Sequence, residues 1–107
     1  MTQAEVYKAL GDPLRLEIVT RLASGSTYTI GELSKNLDLT RQGARKQLQV
    51  LVSAKLVQLI PKGRETAVVL DIEKLKAARQ LIAQLESQWD QRLQALKVFV
   101  EDGADKQ

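Results

Sequence analysis

The chain contains no cysteine and no histidine. Without cysteine it forms no disulfide, no thiolate zinc site and no thiol redox switch. Without histidine it lacks the side chain most used for general acid–base catalysis and the commonest nitrogen ligand for metals. An enzyme could still run on Asp, Glu, Lys, Ser or Tyr. The sequence, however, shows no phosphate-cradling glycine loop and no matched carboxylate pair. A protein that is not an enzyme, with no cofactor and no metal, is expected. No apolar run approaches the roughly 18 residues that a membrane span needs. The opening MTQAEVYKAL lacks the basic start and long apolar stretch of a secretion signal. A cytoplasmic protein with no membrane partner is therefore expected. There is no internal repeat and no low-complexity segment.

One further absence is local. No Asp or Glu occurs between Leu39 and Arg64, while Arg41, Arg45, Lys46, Lys55, Lys62 and Arg64 all fall there. The formal net charge is only +3. Its distribution says more: residues 1–70 hold ten Lys and Arg against six Asp and Glu, and residues 71–107 hold six against seven. Charge segregation alone also fits a solvated face, so the surrounding pattern has to give it meaning.

At 107 residues, a single domain spanning 1–107 is expected. A core of that size is real but not generous, so pairing with a second copy would help it. Residues 3–10 read as a short helix, with Gly11 available as a left-handed stop. Asp12 and Pro13 suit the cap and first turn of a second helix, which carries Leu14, Ile18, Val19 and Leu22 at helical spacing. Ser24-Gly25-Ser26 ends it. Thr29 and Glu32 match a capping box, and Ile30, Leu33 and Leu37 follow at steps of three and four. After a short turn, Thr40 caps a helix that runs to about Ser53 or Ala54.

That helix has two faces. At 100° per residue, Ala44, Leu48 and Leu51 fall within an arc of roughly 60°. Gln42, Arg45, Lys46 and Gln49 occupy another arc of about 100°, displaced from the first. Arg41 lies between them. The stretches 56–60 and 66–70 are β-prone, with Pro61 to Glu65 as their turn. Asp71 suits the cap of a last helix reaching about Val100. Leu75, Ala78, Ile82, Leu85, Trp89, Leu93, Leu96 and Val100 recur along it at steps of three and four, a coiled-coil-like seam. The tail from Glu101 reads as polar and frayed.

The architecture expected is mainly α (α+β): a helix-turn-helix over about 29–53, a two-stranded β-wing over about 56–70, and a long helix over about 71–100. Such a device puts a helix into a DNA major groove. ALGDPLRLEIVTRLASG, TIGELSKNLDLTRQGARKQLQVLVSAKLV and KGRETAVVLD, in that order, resemble the ArsR/SmtB-type winged-helix transcriptional repressors across nearly the full length. The resemblance implies a homodimer formed through the first and last helices, with Tyr7, Leu85, Trp89, Leu93 and Leu96 at the interface. It implies two recognition helices reading a palindromic operator in double-stranded DNA. By position, Gln42, Arg45 and Lys46 would touch base edges, with Thr40 and Arg41 nearby. Arg suits guanine and Gln suits adenine. Lys62 and Arg64 at the wing tip would meet phosphates or the minor groove.

The sequence departs from metal-sensing relatives. Where one class carries a Cys-x-Cys pair, this chain has Ser34 and Asn36. Where another uses acidic and histidine ligands on the last helix, it has Gln84 and Ser87. Thiolate and imidazole ligands are absent, so a sensor of either kind is not expected, and the effector is left unknown. Asp71 with Glu73, or Glu86 with Asp90, read as caps and solvated helix charges before they read as a cation site. Trp89 reads as interface core before it reads as a ligand pocket. The function expected is a homodimeric repressor that blocks a promoter. The alternative is a winged-helix protein-interaction module that does not bind DNA.

Overall fold

The computed structural model describes residues 3–105, with side-chain exposure through residue 102. Five helices and three strands follow in the order α1 (Gln3–Leu10), α2 (Pro13–Ala23), β1 (Tyr28–Thr29), α3 (Ile30–Asn36), α4 (Arg41–Ser53), β2 (Val57–Lys62), β3 (Glu65–Leu70) and α5 (Glu73–Asp105). Two compact units divide the chain, Met1–Lys76 and Ala77–Gln107.

Local chemistry sets the helix starts. The Asp12 carboxylate accepts from the amides of Leu14 and Arg15 at 3.0 and 3.1 Å, and Pro13 occupies the first turn, where no N–H is needed. Thr29 and Glu32 complete the expected capping box: the Thr29 hydroxyl accepts from the Glu32 amide, and the Glu32 carboxylate accepts from the Thr29 amide. The Thr40 hydroxyl accepts from the Gly43 amide at 2.9 Å. Replacing Asp12 with alanine is expected to lower stability by about 1 kcal/mol. It would read out as a lower urea midpoint with an unchanged slope; an unmoved midpoint would remove the cap from the account.

Four expectations need correction. Gly11 is not left-handed; among the described glycines positive φ belongs to Gly25 and Gly63. Instead its amide bonds back to the Lys8 carbonyl at 3.2 Å. The hairpin turn is tighter than Pro61 to Glu65: strand pairing extends to Lys62↔Glu65 and leaves only Gly63 and Arg64 as the loop. Gly63 at φ 63 supplies the positive φ that a two-residue turn of type II′ needs at its first central position. Pro61 is then inside β2, opposite Thr66. It is tolerated because β2 is an edge strand, and the alternation of the ladder puts Pro61 in a non-hydrogen-bonded pair.

The sheet also has a third strand. β1 pairs antiparallel with β3 through Tyr28↔Val68 and Thr29↔Ala67, giving the order β1-β3-β2. Two residues give no readable alternation, so the sequence offers a two-stranded wing only. Finally, α5 begins at Glu73 and runs to Asp105, past Val100 and through the stretch expected to fray. Asp71 does serve its start, accepting from the Glu73 amide at 3.1 Å. Lys106 and Gln107, which close the expected frayed tail, lie outside the described residues.

Within the first unit the core is made of Val6, Ile18, Leu33, Leu48, Leu51, Leu56, Val57 and Val68, all fully buried. They come from α1, α2, α3, α4, both long strands and the turn before β2. Fully burying each such side chain is worth about 1.5–3 kcal/mol against leaving it in water. β3 packs on α2 and α3, β2 packs on α4, and α3 and α4 pack on each other. That packing fixes the direction in which α4 faces away from the body.

Candidate nucleic-acid interface

The turn from α3 to α4 is closed by backbone bonds: Leu37 N–H to Leu33 O at 3.0 Å, Asp38 N–H to Lys35 O at 3.3 Å and Leu39 N–H to Ser34 O at 2.7 Å. Asp38 takes φ 54 to make the corner, a conformation that Asp tolerates better than most residues. The turn delivers Thr40 to its capping position. From there Ala44, Leu48 and Leu51 are buried, while Arg41, Gln42, Arg45, Lys46 and Gln49 are exposed. The two arcs inferred from helical spacing are therefore the buried and exposed faces of α4.

Among the described residues, no hydrogen bond or ion pair engages the side chains of Arg41, Gln42, Arg45, Lys46, Lys62 or Arg64; the two ion pairs are Arg21–Glu17 and Lys76–Glu73. Lys62 and Arg64 flank Gly63 at the exposed wing tip. Thr40 is exposed too, but its oxygen is engaged as the cap of α4. The Arg41 side chain reaches toward the start of α3. A Cβ added at Gly31 would lie 3.2 Å from one of its guanidinium nitrogens, so this side chain folds back over the start of α3.

Sequence reasoning did not single out Arg15 and Gln47. The Arg15 guanidinium donates to Ala9 O at 2.8 Å, Lys8 O at 3.3 Å and Gln47 Oε1 at 3.0 Å. It thereby ties the end of α1 to the half-buried flank of α4. The available signal was the position of Arg15 in the ALGDPLR run, which carries part of the family resemblance.

The positions that depart from metal-sensing relatives are otherwise occupied. Ser34 is buried, and its hydroxyl donates to the Gly31 carbonyl at 2.9 Å. Asp71 is consumed by the Glu73 amide and by Gln58 Nε2 at 3.2 Å. Among the described residues, no three Asp or Glu side chains gather as ligands. No helix among them is long and apolar enough to cross a membrane.

On α5, Leu75 is half-buried and Ala78 buried, whereas Ile82, Leu85, Trp89, Leu93, Leu96 and Val100 are exposed, Trp89 at 61%. Tyr7 on α1 is half-buried.

Two helices joined by a tight turn, the second with an exposed cationic face beside a β-hairpin, define a winged helix-turn-helix. A helix-turn-helix domain model matches residues 10–60. The chain is 32% identical over 99 residues to the HTH-type transcriptional regulator Rv2034 of Mycobacterium tuberculosis, covering 92% of this chain and 89% of that one. It is 35% identical over 77 residues to the uncharacterized HTH-type transcriptional regulator YuzN of Bacillus subtilis, covering 66% of this chain and 84% of that one. The solved structure of an ArsR-like transcriptional regulator from Rhodococcus sp. RHA1 superposes with a TM-score of 0.82 at 30% identity, covering 92% of this chain and 90% of that one. The chain belongs to the ArsR family of helix-turn-helix transcriptional regulators.

Proposed function

We propose that this protein is a cytoplasmic, homodimeric repressor that occludes a promoter by placing α4 in the major groove of a palindromic operator. The observation that carries this reading is the exposed face of α4. It presents Gln42, Arg45 and Lys46 with no internal partner, in a stretch free of acidic residues that continues to Lys62 and Arg64 on the wing. Cations held without partners are what a polyanion attracts, and amide and cationic side chains can discriminate base edges. The exposed seam of α5 supports the dimer, because a run of apolar side chains at coiled-coil spacing calls for another helix. A two-fold dimer presents two copies of α4, which matches a palindrome.

The test is fluorescence anisotropy on duplex DNA from upstream of the protein's own gene, beside random duplex, at two salt concentrations. Tighter binding to the upstream DNA that survives the higher salt is expected. The Arg45→Ala, Lys46→Ala double variant is expected to lose it. Retained affinity in that variant would remove α4 from the recognition role. No binding to any duplex at low salt would favour a protein-interaction module instead.

A further inference from the structure

We propose that Arg41, Arg45 and Arg64 form one oxyanion seat between α4 and the wing, and that it takes a single phosphate of the DNA backbone. This rests on the DNA-binding reading above and assigns that surface a defined point of attachment.

A hollow of about 50 Å³ is lined by these three arginines together with Thr29, Thr66 and the start of α3. Drug-sized ligands occupy roughly 300–1,000 Å³, so the space suits a group of a few heavy atoms. The arginines arrive from two directions: Arg41 and Arg45 are one helical turn apart on α4, and Arg64 is on the hairpin turn. Like charges four apart on a helix repel. None of the three side chains has a hydrogen bond or an ion pair among the described residues. Glu65 also lines the hollow but pairs with none of them. Three arginines against one carboxylate around a small concavity leave a net cationic donor set suited to a tetrahedral oxyanion, which a guanidinium grips through two parallel N–H bonds.

The seat is built rather than incidental. Arg41 reaches it by folding over Gly31, where a Cβ would stand 3.2 Å from its guanidinium nitrogen. The Thr29 hydroxyl accepts from the Glu32 amide and keeps its own proton available to donate. One consequence follows for recognition. With Arg45 assigned to the phosphate, discrimination between bases passes to Gln42 and Lys46.

The test compares salt dependence across variants on upstream and random duplexes. Arg41→Ala, Arg45→Ala and Arg64→Ala are each expected to weaken binding to both duplexes by the same factor, about tenfold, leaving the preference ratio unchanged. Losing one phosphate contact lowers the log–log salt slope by about 0.9. The triple variant should therefore lose about one unit per protomer if all three hold one phosphate, against nearly three if each holds its own. A loss near three, or an altered preference in Arg45→Ala, would overturn the seat. All four proteins should keep the parent circular dichroism spectrum, because the arginines are exposed. Titration with inorganic phosphate, followed at the arginine Nε–H resonances, separates the two readings. If the parent protein binds no duplex while phosphate shifts the three resonances together, the seat stands and the DNA-binding reading fails. If neither duplex nor phosphate moves them, the seat is overturned.

Discussion

Replacing Leu48 with alanine is expected to lower the unfolding free energy by about 2–5 kcal/mol. Leu48 is fully buried, between Ala44 and Leu51 on the stripe by which α4 packs on α2, α3 and β2. The loss combines the transfer energy of the missing carbons with the cavity they leave. Relaxation of the surroundings recovers little, because a helix with a 13-residue span cannot shift toward the gap without disturbing the rest of its stripe. Natural domains are stable by only about 5–15 kcal/mol, so this one change removes a large share. Urea unfolding at fixed protein concentration reads it as a lower midpoint. Holding concentration fixed matters, because the stability of the proposed dimer would depend on it. A loss under about 1 kcal/mol would mean that this stripe is not the core contact of α4.

On the proposed dimer, the Trp89→Glu, Leu93→Glu double variant is expected to be a monomer at concentrations where the parent chain is expected to pair. Both side chains are exposed apolar members of the α5 seam. Glutamate is a good helix former, so the substitution leaves α5 intact and acts on what the helix meets. In a two-fold interface each change appears twice, which places four new carboxylates in one contact. Linking two binding modules raises affinity by about 10²–10⁴-fold, and a comparable fall in affinity for the upstream duplex is expected when the link is broken. Sedimentation velocity gives the mass and anisotropy gives the affinity. A variant that stays dimeric would place the interface elsewhere. A monomer that keeps full affinity would detach pairing from DNA recognition.

Much of this fold was legible because its signals are local. Asp12-Pro13, Thr29 with Glu32, and Thr40 each act within one helical turn, and each helix starts where its cap dictates. The faces of α4 were legible for the same reason: three buried positions in one arc need no knowledge of what covers them. What escaped was nonlocal. β1 exists only because Tyr28 and Thr29 fall beside Val68 and Ala67, 40 and 38 residues away in the chain. The hairpin is tight because strand pairing captured Pro61, Lys62 and Glu65, a choice made between strands and not within either one. The reach of Arg41 over Gly31 and the bond from Arg15 to Gln47 depend on how helices cross. Composition carries no trace of that. The acid-free stretch showed where cations accumulate, but not that three of them share one hollow.

The Arg15 side chain has a mechanical meaning. It spans three helices, with its stem on α2, two of its bonds on the last carbonyls of α1 and one on Gln47 of α4. A last turn of α1 that swings outward strips its carbonyls from the same guanidinium that steadies α4. α4 and the chain's first helix are thus joined through a single planar group.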